Sequence, residues 1–332
     1  MKLLQSILRI LTAVVSFFLV IGIPAILAVR QPTSKKTPFP PGPRADADRL
    51  RSHVRYLAED LATRNHNHPE QLAATVAYLQ TGLAVPGAEV SLQPFTASAA
   101  APGQTEQINI VARFGQTAGP LVVVGAHYDA AGDLPGADDN ASGAAGLLEL
   151  ARLLSLRNPE KLSAGIELVA FATEEPPFFG TDQMGSAVHA RSLADQGRTV
   201  RAMLCLEMIG YFVEQQDYSS WALRAAYPAH GLYAAIVGRW QDRQLAKTVK
   251  RCFNGASDLQ ALSYSGPILF GADLSDHRNY WHQGYPAVMI TDTAFLRNPN
   301  YHTAQDTPDT LDYQRTAQVV DGVLSAVLTL SQ

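Results

Sequence analysis

Two pairs of acidic and imidazole side chains follow apolar runs in this sequence, and both pairs could bind a metal ion. His127 and Asp129 come directly after the run LVVVGA and are separated by one residue. Residues two apart in extended backbone point to the same side, so Asp129 could hold one imidazole nitrogen while the other nitrogen binds a cation. A polar strand end with an ordinary, satisfied histidine is the alternative interpretation of this pair.

The second pair, Glu174 and Glu175, follows the run IELVAFAT. Adjacent side chains leave the backbone in different directions, so one carboxylate can bind a cation while the other faces a bound water and acts as a general base. Two neighbouring glutamates at a buried strand end would otherwise repel each other and be costly to bury. An exposed helix start is the alternative, and Pro176 and Pro177 are compatible with it.

Two loops add further candidate ligands. Residues 136–143 read GADDNASG, in which Asp138 and Asp139 precede a helix that opens with small residues. An acidic N-cap explains the carboxylates. The small residues indicate that the helix approaches something closely, and an aspartate at that approach could bridge two cations. His302 lies in the polar segment YHTAQDT before the final helix, and taken alone it is an ordinary loop histidine.

The composition excludes several other kinds of chemistry. The 332 residues carry a net charge of −4 with scattered basic residues, so a nucleic-acid-binding surface has no electrostatic support. Cys205 and Cys252 are the only cysteines and have no CxxC spacing, which excludes a thiol-dominated zinc site. The absence of HExxH, GxSxG and P-loop motifs argues against zincins, α/β-hydrolases and nucleotide-binding enzymes.

The apolar runs before these clusters are predicted to be buried β-strands, because they are apolar on both faces. Segments of helical periodicity alternate with them. The predicted strands are Ile108–Phe114, Leu121–Gly125, Ile166–Phe171, Ala202–Leu206 and Ala287–Thr291. The predicted helices are Asp46–Thr63, Leu72–Leu83, Ala141–Leu156, Met184–Leu193 and a segment from Leu311. We therefore expect a single α/β domain with a mostly parallel central sheet, covered by helices on both faces, whose strand ends converge on one crevice.

The amino-terminal segment is predicted to enter a membrane. Residues 10–29 contain no charged residue and lie between two arginines. As a helix this run would be about 30 Å long, which matches the hydrocarbon thickness of a bilayer. We interpret residues 1–30 as one transmembrane anchor, with a cleaved secretory signal as the alternative. Residues 31–45 are interpreted as a proline-rich linker, and residues 46–332 as the folded domain.

Taken together and in this order, HYD, GADDNASG, ATEE, LE and YHTAQDT resemble metallopeptidase family M28, which includes co-catalytic zinc aminopeptidases. The resemblance covers most of the chain from about residue 50 onward and implies the zinc-dependent exopeptidase fold. It also implies a metal site in which one aspartate bridges two Zn²⁺ ions, with occupancy by a single ion as the alternative. The implied ligands are His127, the bridging Asp139, Glu175, Glu207 and His302.

The same resemblance implies roles for neighbouring residues. Glu174 corresponds to the general base, Asp129 to the partner that orients His127, and Tyr301 to a hydroxyl that stabilises the oxyanion in some members. Asp276, in the segment SDH, corresponds to a residue that supports the ligands. Three carboxylates and two neutral imidazoles would balance two Zn²⁺ and one hydroxide. The oxygen and nitrogen donors would also accept cobalt or manganese.

Three features depart from the family pattern. Glu207 stands where many members have aspartate, and its longer side chain changes the geometry of the second metal position. The segment PPFFGTDQMGS is longer than the usual loop, and its Phe178 and Phe179 could reshape the substrate pocket. The amino-terminal span is absent from many secreted members. Residues 140–142 match a glycosylation sequon, but a glycan there would block the cleft, so we interpret the match as coincidental.

The resemblance implies a metal-dependent exopeptidase, specifically an aminopeptidase acting on a peptide or aminoacyl substrate. One alternative is a glutaminyl cyclase, an acyltransferase of similar fold that holds one zinc at the positions of Asp139, Glu175 and His302. Cyclases carry tryptophan at the position of Tyr301, which favours the peptidase. The other alternative is a non-catalytic receptor built on this fold, although such members lose ligands. By analogy with exported relatives, the domain is expected on the periplasmic or extracellular side. The sequence indicates no oligomeric state.

Overall fold

The computed structural model of the protein describes residues 2–98, 104–157, 162–218, 220–268 and 271–332. Within these residues, a mixed β-sheet of eight strands forms the centre of the fold. The order across the sheet is β1-β2-β4-β3-β5-β8-β6-β7. The strands are β1 (Ala88–Ser98), β2 (Gln104–Phe114), β3 (Leu121–His127), β4 (Gly165–Phe171), β5 (Val200–Glu207), β6 (Tyr233–Arg239), β7 (Gln260–Gly266) and β8 (Ala287–Thr291).

The four central strands, β4-β3-β5-β8, are parallel, as the apolar runs predicted. Every residue of β3 and β4 is buried, because helices cover both faces of the sheet and neither face of these strands meets water. Antiparallel pairs join β1 to β2, β2 to β4 and β6 to β8. The predicted α/β class with a mostly parallel sheet is therefore confirmed, and the antiparallel pairs lie towards its edges.

Two layers of helices enclose the sheet. One face is covered by α3 (Ala47–Arg55), α4 (Pro69–Leu83), α5 (Gly143–Ser155), α8 (Arg243–Ala256) and α10 (Tyr313–Leu330). The opposite face is covered by α6 (Gly185–Asp195) and α9 (His277–His282). The short helix α7 (Trp221–Ala226) lies between β5 and β6 in the chain. The larger apolar cluster fills the side of α5 and α10, so this side holds most of the core.

An apolar helix precedes the sheet. It consists of α1 (Lys2–Phe17), one wider turn at Phe18–Gly22 and α2 (Ile23–Arg30). The stretch Gln5–Arg30 is long and apolar enough to cross a membrane, although a signal sequence would satisfy the same criterion. The predicted membrane helix is thus present as a candidate span.

The proline-rich segment after this helix contacts the folded domain. The backbone N–H of Thr37 donates to the carbonyl oxygen of Arg251, and Asn254 donates to the carbonyl oxygen of Thr33. Phe39 packs under the guanidinium groups of Arg44 and Arg157. The predicted linker therefore has a specific path along α8.

Candidate active site

The site is built where three neighbouring parallel strands end. His127 is the last residue of β3, Glu174 and Glu175 follow β4, and Glu207 is the last residue of β5. Because the sheet order is β4-β3-β5, these strand ends lie side by side and deliver their side chains to one rim. All four side chains are buried.

Asp139 approaches the same rim from the irregular turn Ala137–Ser142, which leads into α5. Its carboxylate lies between two imidazoles, with Oδ1 at 3.2 Å from Nε2 of His127 and Oδ2 at 3.0 Å from Nε2 of His302. The two oxygens of one carboxylate thus face two different histidines. This is the arrangement that a bridging ligand requires.

Glu175 and Glu207 complete two separate donor groups. Nε2 of His127 lies 3.5 Å from Oε2 of Glu207, whereas Nε2 of His302 lies 3.3 Å from Oε2 of Glu175. Each group shares Asp139, and within each group the donor atoms all lie within 4.8 Å of one another. His127 and His302, which are distant in the sequence, therefore lie on either side of Asp139.

These groups fit divalent zinc. Ligand atoms bound to one tetrahedral zinc at about 2.0–2.2 Å are separated from each other by roughly 3.3 Å, close to the separations found here. The buried atoms Nε2 of His127 and Oε1 of Glu175 have no adequate hydrogen bond to any described residue. Buried polar atoms are normally satisfied, so these unsatisfied atoms indicate that the site accommodates cations.

The protonation equilibria of the cluster reflect an excess of buried negative charge. Burial and the nearby Asp139 raise the pKa of Glu175 to about 7. Burial also raises the pKa of Glu174 well above its usual range, an effect that His127 opposes and Glu207 reinforces. Burial lowers the pKa of His302, but its bonds to Asp139 and Glu175 outweigh this and raise it to about 10. A bound dication would relieve the same repulsion.

Asp129 contacts other parts of the site in addition to His127, its predicted partner. Its carboxylate Oδ1 lies 3.4 Å from Nδ1 of His127, while its backbone carbonyl lies nearer that nitrogen, at 3.1 Å. The same carboxylate accepts hydrogen bonds from the backbone N–H groups of Glu174, at 3.1 Å, and Glu175, at 3.0 Å. Asp129 thus ties the end of β3 to the turn that follows β4.

Tyr301 stands at the open side of the cluster. Its ring stacks on His302 with 3.9 Å between ring centroids and 16° between planes. Burial raises the pKa of its hydroxyl, and the carboxylates of Asp139 and Glu175 add to this effect. Tyr301 and Glu207 also line a mainly apolar pocket, whose wall includes Leu223, Leu262, Leu274, Met289 and Phe295.

The hydroxyl of Ser275 supports Glu207, donating to its Oε2 at 2.6 Å, and Sγ of Cys205 lies 3.2 Å from the same hydroxyl. Asp276 is fully buried, and burial raises its pKa to about 7. Within the predicted segment SDH, Ser275 is therefore the residue that contacts a candidate ligand directly.

Two residues that were not among the predicted site residues hold Asp139 and the segment that leads to it. The carboxylate of Asp306 accepts hydrogen bonds from the backbone N–H of Asp138, at 2.9 Å, and of Asp139, at 3.1 Å. Arg64 is fully buried and donates to the carbonyl oxygens of Pro135 and Gly136. Asp306 lies in the segment YHTAQDT and could have been found there, whereas no local signal marked Arg64.

The remaining predictions concern residues around the cleft. Asn140 is fully buried and its amide donates to the carbonyl oxygen of Leu206, so a glycan cannot attach to the folded chain there. Phe178 is buried and packs edge-on against His66, while Phe179 lies under Arg278. Neither phenylalanine lines the apolar pocket beside Glu207.

Comparison with known proteins gives one family. The sequence model of peptidase family M28 matches residues 109–327. The uncharacterized protein YfbL of Escherichia coli (strain K12) is 44% identical over 302 residues, which cover 86% of this chain and 90% of YfbL. Leucine aminopeptidase 1 of Blastomyces gilchristii (strain SLH14081) is 28% identical over 228 residues, which cover 64% of this chain and 53% of that protein.

Solved structures share the fold. The crystal structure of Legionella pneumophila LapA aminopeptidase superposes with a TM-score of 0.68 at 19% identity, over 86% of this chain and 72% of LapA. Glutaminyl cyclases are also among the structures with this fold. At this level of identity the structural likeness establishes the fold and not the reaction.

Proposed function

This chain belongs to peptidase family M28, and from that premise we propose that it is a zinc-dependent aminopeptidase. The observation that carries the proposal is the position of Asp139, whose two carboxylate oxygens face two different histidines. A single-ion site would leave His127 and Glu207 without a cation to bind. Two Zn²⁺ ions per chain therefore account for the whole donor set.

In this proposal Asp139 is shared between two zinc positions. His127 and Glu207 would hold one ion, and Glu175 and His302 would hold the other. When bound, zinc lowers the pKa of a coordinated water to near neutrality and polarises a carbonyl oxygen. Glu207 also lines the apolar pocket, so one proposed zinc position lies next to that pocket.

Glu174 is the proposed general base. Its Oε2 lies 3.9 Å from Nε2 of His127, farther than the 3.0–3.5 Å between the proposed ligand atoms, although Glu174 also forms a possible donor group with His127 and Glu175. It can therefore accept a proton from the attacking water and return that proton to the leaving amine. Burial raises its pKa, which makes the protonated form accessible during the cycle.

Tyr301 and Asp129 position and stabilise the reacting groups. The hydroxyl of Tyr301, at the open side of the cluster, would donate to the carbonyl oxygen as it gains negative charge. Asp129 holds the backbone of Glu174 and Glu175 and faces His127, so it positions three proposed functional residues at once. Its role is therefore positional.

The pocket beside Glu207 supports an apolar amino-terminal residue as the preferred substrate. Its wall is formed by aliphatic and aromatic side chains, and Tyr301 stands at its junction with the cluster. A leucine-like side chain would lose most of its contact with water there. The leucine aminopeptidase among the relatives is consistent with this preference.

A panel of aminoacyl-nitroanilides tests the proposal. The holoenzyme should hydrolyse leucyl and phenylalanyl substrates faster than glutamyl or lysyl ones, and a chelator should abolish hydrolysis. Metal analysis of the active protein should give two zinc ions per chain. Hydrolysis that survives complete removal of metal would contradict the proposal.

Glutaminyl cyclisation is the second candidate, because cyclases share this fold. A cyclase would convert an amino-terminal glutamine peptide to pyroglutamate with one zinc per chain and without cleaving nitroanilides. A non-catalytic receptor would bind no divalent metal after reconstitution. The three outcomes are exclusive, so one preparation assayed for metal content and both reactions separates them.

We also propose that residues 10–29 anchor the enzyme in a membrane with the domain on the periplasmic or extracellular side. The length and apolar character of Gln5–Arg30 support an anchor. Exogenous protease added to intact cells or spheroplasts should then digest the domain. Protection of the domain until the membrane is lysed would place it on the cytoplasmic side.

A further inference from the structure

The end of the apolar helix is attached to the folded domain by specific hydrogen bonds. Nζ of Lys250 on α8 donates to the backbone carbonyl oxygens of Arg30, at 2.7 Å, and Gln31, at 2.5 Å. Oγ of Ser263 on β7 donates to the same carbonyl of Arg30 at 2.8 Å. The guanidinium of Arg30 lies over the ring of Tyr227. The domain therefore has a defined position next to the last turn of the helix.

A groove between the helix and the domain shows which side chains of the domain lie beside the last turns of the helix. Its helix side is formed by Ala25, Ala28 and Val29, and its domain side includes Trp240 and Ile268. Residues 25–29 occupy roughly 6 Å of helix, just inside the end of the proposed span. Side chains that share this groove lie at the level of the bilayer interface if residues 10–29 cross the membrane.

The side chains at this level suit a lipid interface. Trp240 is 48% exposed and Ile268 is 51% exposed, although both are large and apolar. Tryptophan is enriched at the boundary between hydrocarbon and headgroups, where its ring and its N–H are both accommodated. Exposed apolar side chains beside an apolar helix form one continuous surface.

Basic residues adjoin this surface, since Arg239 lines the groove and the guanidinium of Arg243 lies over the ring of Trp240. Five basic residues occur between positions 239 and 251, in a chain whose net charge is −4. Arg239 pairs with Asp242, but neither Arg243 nor Lys247 forms an ion pair with any carboxylate in the described ranges. Burial lowers the pKa of Lys250 to about 8, and the nearby charges of Arg30 and Lys247 contribute. Anionic headgroups would neutralise the two unpaired residues, Arg243 and Lys247.

We propose that the domain docks on an anionic lipid bilayer through a face formed by Trp240, Ile268, Arg243 and Lys247, with the membrane helix beside it. We call these four residues the docking face. The inference rests on the proposed membrane anchor and adds that the domain has a fixed orientation on the lipid surface. A second copy of the chain presenting the same face would bring like charges together, which disfavours a dimer here.

Fluorophore labels on the full-length protein test the docking face. Cys205 and Cys252 are buried, so an introduced cysteine is the accessible labelling site. Ile268→Cys places a label on the docking face. Leu92→Cys is the matched control, because Leu92 is also exposed and lies on β1, at the opposite edge of the sheet from β7. Both proteins are reconstituted in vesicles that contain nitroxide-labelled lipid, a quencher at the membrane surface.

We expect the label at position 268 to be quenched about twofold or more relative to the label at position 92, since interfacial side chains lie within the quencher's reach. Quenching should be stronger in vesicles of phosphatidylcholine with phosphatidylglycerol than in phosphatidylcholine alone. Equal quenching of the two labels in protein that floats with the vesicles would overturn the docking face. Equal quenching in the two lipid compositions would overturn anionic lipid as the partner.

The double variant Arg243→Gln/Lys247→Gln tests the charges. It should remove about half or more of the excess quenching at position 268, while the protein still floats with the vesicles. Arg191→Gln/Arg198→Gln, with the same charge change around α6 on the other face of the sheet, should leave quenching unchanged. Protein that fails to float would overturn the anchor and the docking face together. Aminopeptidase activity in detergent should be unaffected, so failure of the enzyme assignment is detected separately.

Discussion

Two buried carboxylates, one within β4 and one just after it, have opposite environments. Glu167 lies within β4, where Nε of Arg113 contacts it at 2.8 Å and Nε2 of His189 lies 3.4 Å away. Burial raises its pKa, but the bonds from His189 and Arg113 outweigh this and lower it to about 2. Glu175 follows the same strand, and there burial and Asp139 raise the pKa to about 7.

The surroundings of Glu167 and Glu175 distinguish a structural acid from a candidate metal ligand. Arg113 supplies a permanent positive charge to Glu167 through a hydrogen bond to its Oε1, so the chain itself compensates the charge of this carboxylate, although its Oε2 makes no hydrogen bond among the described residues. Around Glu175 several carboxylates are buried together with two histidines, and no arginine or lysine of the described residues forms an ion pair with them. Burial alone therefore does not mark the site, whereas an uncompensated buried charge does.

Removal of zinc should have the largest effect on activity and stability. A chelator should reduce hydrolysis to background, and the melting temperature should fall, because a ligand present at a thousand times its dissociation constant stabilises the fold by about 4 kcal/mol. Calorimetry and nitroanilide assays measure both effects. Added zinc should restore both, and Glu167→Gln should bind as much zinc as the unmodified protein. Unchanged stability on chelation would argue that the cluster around Asp139 holds no metal.

Glu174→Gln should lower kcat by about 10²–10⁴-fold, the usual contribution of a general base, while zinc content is unchanged. The same substitution at Glu167, a buried glutamate seven residues earlier and within β4, is the matched control and should leave kcat near the unmodified value. Near-normal turnover by Glu174→Gln would refute the assignment of the base. Steady-state kinetics with zinc analysis provide the test.

Tyr301→Phe should lower kcat by about 10²–10³-fold with little change in KM, because an oxyanion donor acts mainly in the transition state. Tyr218 lines the same pocket, but its hydroxyl is engaged with that of Tyr233. Tyr218→Phe should therefore leave kcat within a small factor. Equal losses in the two variants would indicate a packing role for Tyr301.

Stability as a function of pH should separate the two acids in the metal-free protein. Glu167 has a folded pKa of about 2 against an ordinary 4.5, so it contributes about 3 kcal/mol above pH 4.5. That contribution is lost as the pH falls towards 2. Glu175 has a folded pKa of about 7, so the folded state holds its proton longer and stability falls as the pH rises from 4.5 to 7.

Denaturant titrations of the metal-free variants at several pH values measure these opposite slopes. Glu167→Gln should remove part of the loss below pH 4.5, and Glu175→Gln should remove part of the loss between pH 4.5 and 7. If both substitutions changed the pH dependence of the unfolding free energy in the same direction, the surroundings of Glu167 and Glu175 would not have opposite effects on the two carboxylates.

Local sequence predicted much of the site because the relevant information is local. The apolar runs before His127, Glu174 and Glu207 were long enough to indicate buried strands, and polar residues at their ends indicated a rim. The edge strands β1 and β7, and β6 between β8 and β7, were not predicted, since their exposure and pairing depend on neighbouring strands. The ligand and catalytic roles of the rim residues stay predictions until metal and activity are measured.

Residue type and periodicity are properties of short stretches of chain, so the order of the amino acids was enough to indicate which side chains are available and which segments are buried. The position of Asp139 between His127 and His302, which are far apart in the chain, depends on the folded arrangement. The same holds for Asp306 and the buried Arg64, whose hydrogen bonds to the turn before α5 require the two loops to be packed together. Distances between such segments are set by the packing of the whole core, and no local pattern encodes them.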